Sequence, residues 1–257
     1  MKKLLLSLTL LLFVTFTATP DTTAQSGEEA TRTFLFVHGA WGGGHDYRQM
    51  ESILEDLGHT VYRPTMTGQG RREHLNSPDV TLETHITDIL NVIRFEQLED
   101  LVIVGHSYGG MVITGVVDRE PELFSHIIYL DAFLPEDGES LFSLSGEATR
   151  TRFLELAERE GDGYKVPPSW PDPWPDVPHP LGTLSEPVTL VNQERVGEIP
   201  VAYILAVNEE GEPGGFGKHA ERAEAYGWPV YGLTGGHNLH REVPDELSRL
   251  ILEIIGE

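Results

Sequence analysis

The sequence predicts an α/β fold in which a mostly parallel sheet is covered by helices on both faces. Three observations predict it. Short apolar runs of strand length alternate with helix-length stretches from residue 33 to residue 255. The strand-like runs are almost continuously apolar, as strands buried on both faces must be. A Gly-x-Ser-x-Gly turn, Gly105-His106-Ser107-Tyr108-Gly109, stands directly between one such run and a helical stretch.

Taken in order, the strands are expected at 33–37, 60–63, 101–104, 126–130, 201–206 and 229–233, and the helices at 47–57, 82–95, 111–117, 147–159, 218–226 and 245–255. Pro244 opens the last helix at a position where its missing N–H is harmless. The alternation lapses between 133 and 199. Within that stretch, residues 166–180 hold seven prolines together with Trp170 and Trp174. Such a segment is no core strand or helix. Its tryptophans favour an ordered lid insertion over a disordered linker.

Met1-Lys2-Lys3, an apolar run at 4–14 and the small-residue site Thr22-Thr23-Ala24 have the pattern of a signal peptide spanning 1–24. The apolar run is shorter than the roughly 20 residues of a membrane span, so no stable membrane anchor is expected. A single domain at 25–257 would then be secreted or periplasmic. The chain has no cysteine, which excludes disulfides, a thiol nucleophile and thiolate metal ligation. Its formal charge of -23 argues against a nucleic-acid partner.

Glycines at both ends of the Gly-x-Ser-x-Gly turn make room for a strained strand-to-helix bend that raises Ser107 as a nucleophile. Serine is weak at its ordinary pKa, so a histidine must take its proton and a carboxylate must hold that histidine. Of the eleven histidines, His237 has the right position, because Thr234-Gly235-Gly236-His237 lies between the last strand and the last helix. His240 is expected at the surface or against the lid. His38 and His106 have bland readings, the first as a loop anchor and the second as the variable residue of the turn. His237 and His240 lack a third ligand at useful spacing, so neither metal nor other cofactor is expected.

Two carboxylates compete for the third role. Glu209 follows the strand at 201–206, where the acid usually stands, in the run Val207-Asn208-Glu209-Glu210. Asp131 ends the strand at 126–130, beside the nucleophile's own strand, where a carboxylate without a partner would be costly to bury. Asp131 is preferred. The oxyanion donors are expected to be the N–H groups of Tyr108 and of Ala40, the latter in the loop after the first strand.

With these residues in place, nearly the whole chain resembles the α/β-hydrolase superfamily, and within it the bacterial EstC-like esterases and their relatives, the plant methylesterases and hydroxynitrile lyases. The resemblance rests on Phe36-Val37-His38-Gly39-Ala40-Trp41, on Gly105 to Gly110, on the run from Tyr129 to Gly138, and on Pro178-His179-Pro180-Leu181. It implies Ser107 as nucleophile and His237 as base. The 24-residue step from Ser107 to Asp131 is similar to that in pancreatic-type lipases and some haloalkane dehalogenases, which supports Asp131. Gly39 and Asn238 stand where the lyases carry a threonine and a lysine, so cyanohydrin cleavage is disfavoured.

The expected activity is therefore a serine carboxylesterase acting on small to medium neutral carboxylic esters through an acyl-enzyme. Trp41, Phe133, Leu134, Phe142, Trp170 and Trp174 are the expected lining of an apolar substrate pocket. A hydroxynitrile lyase-like enzyme and a ligand sensor that retains a hydrolase triad are the alternatives. A small-molecule ester is the expected partner.

Overall fold

The computed structural model describes residues 31–169 and 175–257. The expected leader at 1–24, and Trp170 and Trp174, lie outside the described residues. In chain order the elements are β1 (Thr33–Val37), α1 (Arg48–Asp56), β2 (Thr60–Tyr62), α2 (Leu82–Glu96), β3 (Leu101–His106), α3 (Gly109–Arg119), β4 (Phe124–Leu130), α4 (Leu141–Ser145), α5 (Glu147–Glu160), β5 (Lys165–Val166), β6 (His179–Pro180), α6 (Leu181–Ser185), α7 (Gln193–Val196), β7 (Val201–Val207), α8 (Gly217–Ala225), β8 (Val230–Thr234), α9 (Leu239–Glu242) and α10 (Pro244–Ile255). Each strand and helix expected from the sequence is present, with ends shifted by a residue or two. Short elements at α4, α6, α7 and α9 and the small β5–β6 ladder were not foreseen.

The main sheet has strand order β2-β1-β3-β4-β7-β8, and every neighbouring pair is parallel. Successive side chains of a strand point to opposite faces, and the strands sort accordingly. Leu35, Val37, Leu101, Ile103, Ile127 and Tyr129 pack with Ile86, Ile89 and Ile93 of α2 and Met111, Val112 and Val116 of α3. Phe34, Phe36, Val102, Val104, Ile128 and Leu130 pack on the other face with Met50 and Leu54 of α1 and Leu247, Ile251 and Ile255 of α10. Each such buried side chain contributes about 1.5–3 kcal/mol. Two-sided burial is why the inner strands β1, β3, β4 and β7 read as nearly continuous apolar runs, whereas the edge strands β2 and β8 are only partly buried.

Six residues of β3, all buried, run between β1 and β4 and end at the turn that carries Ser107. In open parallel sheets ligands bind beyond the carboxyl ends of the strands, and β3 delivers Ser107 to that edge.

Between β4 and β7 the chain leaves the main sheet. Lys165 and Val166 pair antiparallel with Pro180 and His179, closing the two ends of the proline-rich stretch onto each other. Trp41 pins this stretch to the loop after β1: its Nε1–H donates to the Val166 carbonyl (2.8 Å), and its carbonyl accepts from the Val177 N–H (2.9 Å).

Candidate active site

Ser107 adopts φ 54°, a left-handed conformation costly for a residue with a side chain. The neighbours hold it there. Its carbonyl accepts from the N–H of Gly110 (3.1 Å) and of Phe133 (3.1 Å), and its own N–H donates to the Leu130 carbonyl (3.3 Å). Helix α3 begins at Gly109, two residues earlier than glycine's poor helix propensity suggests. Glycine is required there by close packing, since a Cβ on Gly110 would stand 2.0 Å from the Phe133 carbonyl oxygen.

Asp131 follows β4 directly and is 2% exposed. Its φ is 41°, which places the carboxylate across the strand ends, with the backbone N–H bonded to the Ile204 carbonyl of β7 (2.7 Å). One carboxylate oxygen, Oδ1, accepts from the Ala206 N–H (3.1 Å). The other, Oδ2, stands 2.6 Å from His237 Nδ1. The Tyr203 hydroxyl fixes the next residue, accepting from the Ala132 N–H (2.9 Å) and donating to its carbonyl (2.7 Å). Glu209, by contrast, is exposed and makes no bond to His237 among the described residues.

His237 follows Gly235-Gly236 at the end of β8, with 39% of its side chain exposed. Its ring stacks nearly parallel on Phe216 (centroids 4.8 Å apart, planes 4° apart) and packs against His106 (4.5 Å). Nδ1 faces a carboxylate, so the proton resides on Nδ1 and Nε2 is left to accept one. Ser107 and His237 line the same cavity, of about 400 Å³. Among the described residues no hydrogen bond joins Ser107 Oγ to His237 Nε2; in unliganded active sites such bonds often form only when a substrate is seated.

Ala40 and Tyr108 also line that cavity. Among the described residues, neither N–H is hydrogen-bonded to another group of the protein. Two free donors beside a raised serine are what a developing oxyanion requires. Tyr108 sits at the N-terminus of α3, whose dipole adds to the effect.

Of the expected pocket residues, Trp41 and Phe133 line the cavity. Leu134 does not: the chain turns past Phe133, and Leu134 packs into the core beneath α3. Phe142 also falls behind the wall, in ring contact with Phe153 (6.5 Å), while its neighbour Leu141 faces the cavity. Sequence reasoning missed Leu141, Phe153 and Phe216, which complete the apolar wall. Phe216 stands in the run Pro213-Gly214-Gly215-Phe216-Gly217, and an isolated aromatic in a glycine-rich loop was the available signal.

His240 departs from its expected surface position. It is 1% exposed, stacked on Tyr47 (4.7 Å) and against His106 (4.5 Å). Burial pushes its pKa down to about 3. Beside it the Arg241 guanidinium pairs with Asp46 (2.9 Å) and Asp176 (3.5 Å). Burial raises the Asp46 pKa, but Arg241 and the Gly43 N–H outweigh it and hold the carboxyl below its usual range. His38 acts as the loop anchor expected: Nδ1 bonds the Gly39 carbonyl (2.8 Å) and Nε2 accepts from the Met66 N–H (3.1 Å). His179 of the Pro-His-Pro-Leu motif is fully buried and packs on the rings of Tyr108 (4.8 Å) and Trp41 (5.7 Å).

Residues 34–250 match the alpha/beta hydrolase family, and the chain belongs to that family. It is 38% identical to the carbendazim hydrolyzing esterase of Nocardioides sp. strain SG-4G, over 84% of this chain and 96% of that protein. Over 45% of this chain and 42% of its length, a pyrethroid hydrolase of Sphingobium wenxiniae is 31% identical. An extracellular alpha/beta-hydrolase from a Paenibacillus species has the same fold, with a TM-score of 0.74 at 24% identity over 88% of this chain and 100% of that one. The protein is accordingly a hydrolase.

Proposed function

We propose that the protein is a serine carboxylesterase acting on small to medium neutral esters. Ser107 Oγ attacks the ester carbonyl while His237 Nε2 takes its proton. The Ala40 and Tyr108 N–H groups receive the oxyanion. His237 then gives the proton to the leaving alcohol, and Asp131 stabilises the imidazolium in between. Water, deprotonated by the same imidazole, attacks the acyl-Ser107 ester and releases the acid.

The observation that carries this reading is the 2.6 Å contact of His237 Nδ1 with Asp131 Oδ2, beside a serine at positive φ and over one shared cavity. Trp41, Phe133, Leu141, Phe153 and Phe216 suit an apolar acyl or aryl group. Similarity to the carbendazim hydrolyzing esterase and to Arabidopsis methylesterase 2 supports methyl esters and carbendazim as first test compounds. A lyase reading fits less well: a Cβ on Gly39 would stand 3.0 Å from Ser107 Cβ, leaving little room for the lyases' threonine.

A panel of chromogenic esters of graded acyl length, with methyl esters and carbendazim, tests the reading on purified protein. Sustained turnover is expected, falling about 10³-fold or more in Ser107→Ala. Chelators should leave it unchanged. Near-wild-type turnover in Ser107→Ala, a single burst without turnover, or metal-restored loss on EDTA would overturn it. We further infer export, from the leader-like 1–24; N-terminal sequencing of exported protein should start near Gln25, and a cytosolic chain that keeps Met1 would contradict this.

A further inference from the structure

We infer that His106, the residue between Gly105 and Ser107, is a positioning residue for the base: its side chain ties the loop that carries His237 to the turn that carries Ser107. The inference rests on the reading of Ser107 and His237 given above. His106 Nε2 stands 2.8 Å from the His237 carbonyl oxygen, and the two rings are in contact at 4.5 Å. A carbonyl can only accept, so the His106 proton is on Nε2.

Base and nucleophile lie 130 residues apart in sequence, and the base follows Gly235-Gly236, whose N–H groups bond the Val207 carbonyl (3.0 Å) and the Glu242 carboxylate (2.7 Å) and leave the backbone of His237 itself to be held from elsewhere. Asp131 fixes the ring's rotation through Nδ1 and Phe216 packs on its face, yet neither holds the backbone from which the ring hangs. His106 does. It is attached to Ser107 by one peptide bond, so a shift of the nucleophile carries the base with it. A misplacement near 1 Å at such a contact can cost about 10²-fold in rate.

His106 itself has no room to move. A Cβ on Gly39 would stand 3.0 Å from its Nδ1, and His240 packs on its ring at 4.5 Å. Burial, with His240 and His237 nearby, holds its pKa well below the ordinary histidine value. It therefore stays a neutral donor when the adjacent His237 takes up a proton in the reaction.

The test compares two near-isosteric variants, His106→Gln and His106→Met, with Ser107→Ala as reference. Glutamine places an amide N–H near the former Nε2, and methionine fills the same space without a donor. His106→Met should lose about 10- to 10²-fold in kcat with KM within about threefold, whereas His106→Gln should retain kcat to within about threefold. The rate of covalent capture of Ser107 by a phosphonate ester should follow kcat. Equal kcat in the two variants, whether both high or both low, overturns the inference. Should the variants fail to fold, ¹⁵N NMR of the wild-type protein decides: protonation of His106 at Nε2 is expected, and at Nδ1 it removes the bond. An active Ser107→Ala would instead remove the underlying esterase reading.

Discussion

Strands β4 and β7 lie side by side and end at the same edge of the sheet, yet their ends differ in what they offer the base. After β4 the chain turns at once through Asp131 at φ 41°, burying a carboxylate that has two partners, the Ala206 N–H and His237. After β7 it runs into an exposed turn. There Asn208 Oδ1 accepts from the N–H of Glu210 (3.1 Å) and Glu212 (2.8 Å), and Glu209 faces solvent. A carboxylate in water is screened and mobile, whereas one fixed in a low-dielectric site can hold an imidazolium. Chain length after the strand matters less than which end is buried.

The largest effect that could break this comparison is in Asp131→Asn. Asparagine tolerates the same positive φ and fills the same space. It can neither stabilise the imidazolium nor enforce its tautomer, so kcat should fall about 10²- to 10⁴-fold with the fold intact. A folded Asp131→Asn enzyme at wild-type rate would show that β4 does not supply the acid. Adding Asn208→Asp to that variant sharpens the point. The new carboxylate remains tied to the Glu210 and Glu212 N–H groups, so recovery of no more than about threefold is expected. Tenfold or greater rescue would mean that the two strand ends are interchangeable.

The comparison extends to the imidazoles. Burial pushes His240 down to about 3 and His85 and His219 down to about 4, and it lowers His38, His106 and His179 as well. Folded, these groups stay neutral; in the unfolded chain they take up protons below about 6.5. Their contribution to stability is thus complete above that pH and is lost as pH falls toward about 4 and below. The Tm should drop between pH 7 and pH 4.5. A flat or rising Tm over that interval would mean the buried imidazoles are charged in the native state. The smallest expected effect is that of Glu209→Gln, less than about twofold in kcat, as for a solvated side chain with no role. A crippled Glu209→Gln would move the acid to β7.

Much of this was legible in the sequence because it follows from local rules. The inner strands are apolar on both faces and the helices are periodic. Ser107, Asp131 and His237 each stand at a strand end, so chain order alone aligns them along one edge. The walls of the cavity were not legible. Leu134 and Phe142 are apolar residues near the right place in the sequence, but a turn sends Leu134 into the core and helix α4 presents Leu141 in place of Phe142. His240, expected at the surface or against the lid, is buried. Its burial comes from stacking on Tyr47 and His106, residues nearly 200 and more than 130 positions away, and no local pattern encodes such contacts.

The His237–Asp131 hydrogen bond is the most direct place to test the account. Proton NMR of the wild-type protein, followed over a range of pH, should show a far-downfield Nδ1 proton of His237. Asp131→Asn should abolish that resonance and Glu209→Gln should leave it unchanged. A resonance that survives in Asp131→Asn and disappears in Glu209→Gln would contradict the assignment of the acid to β4.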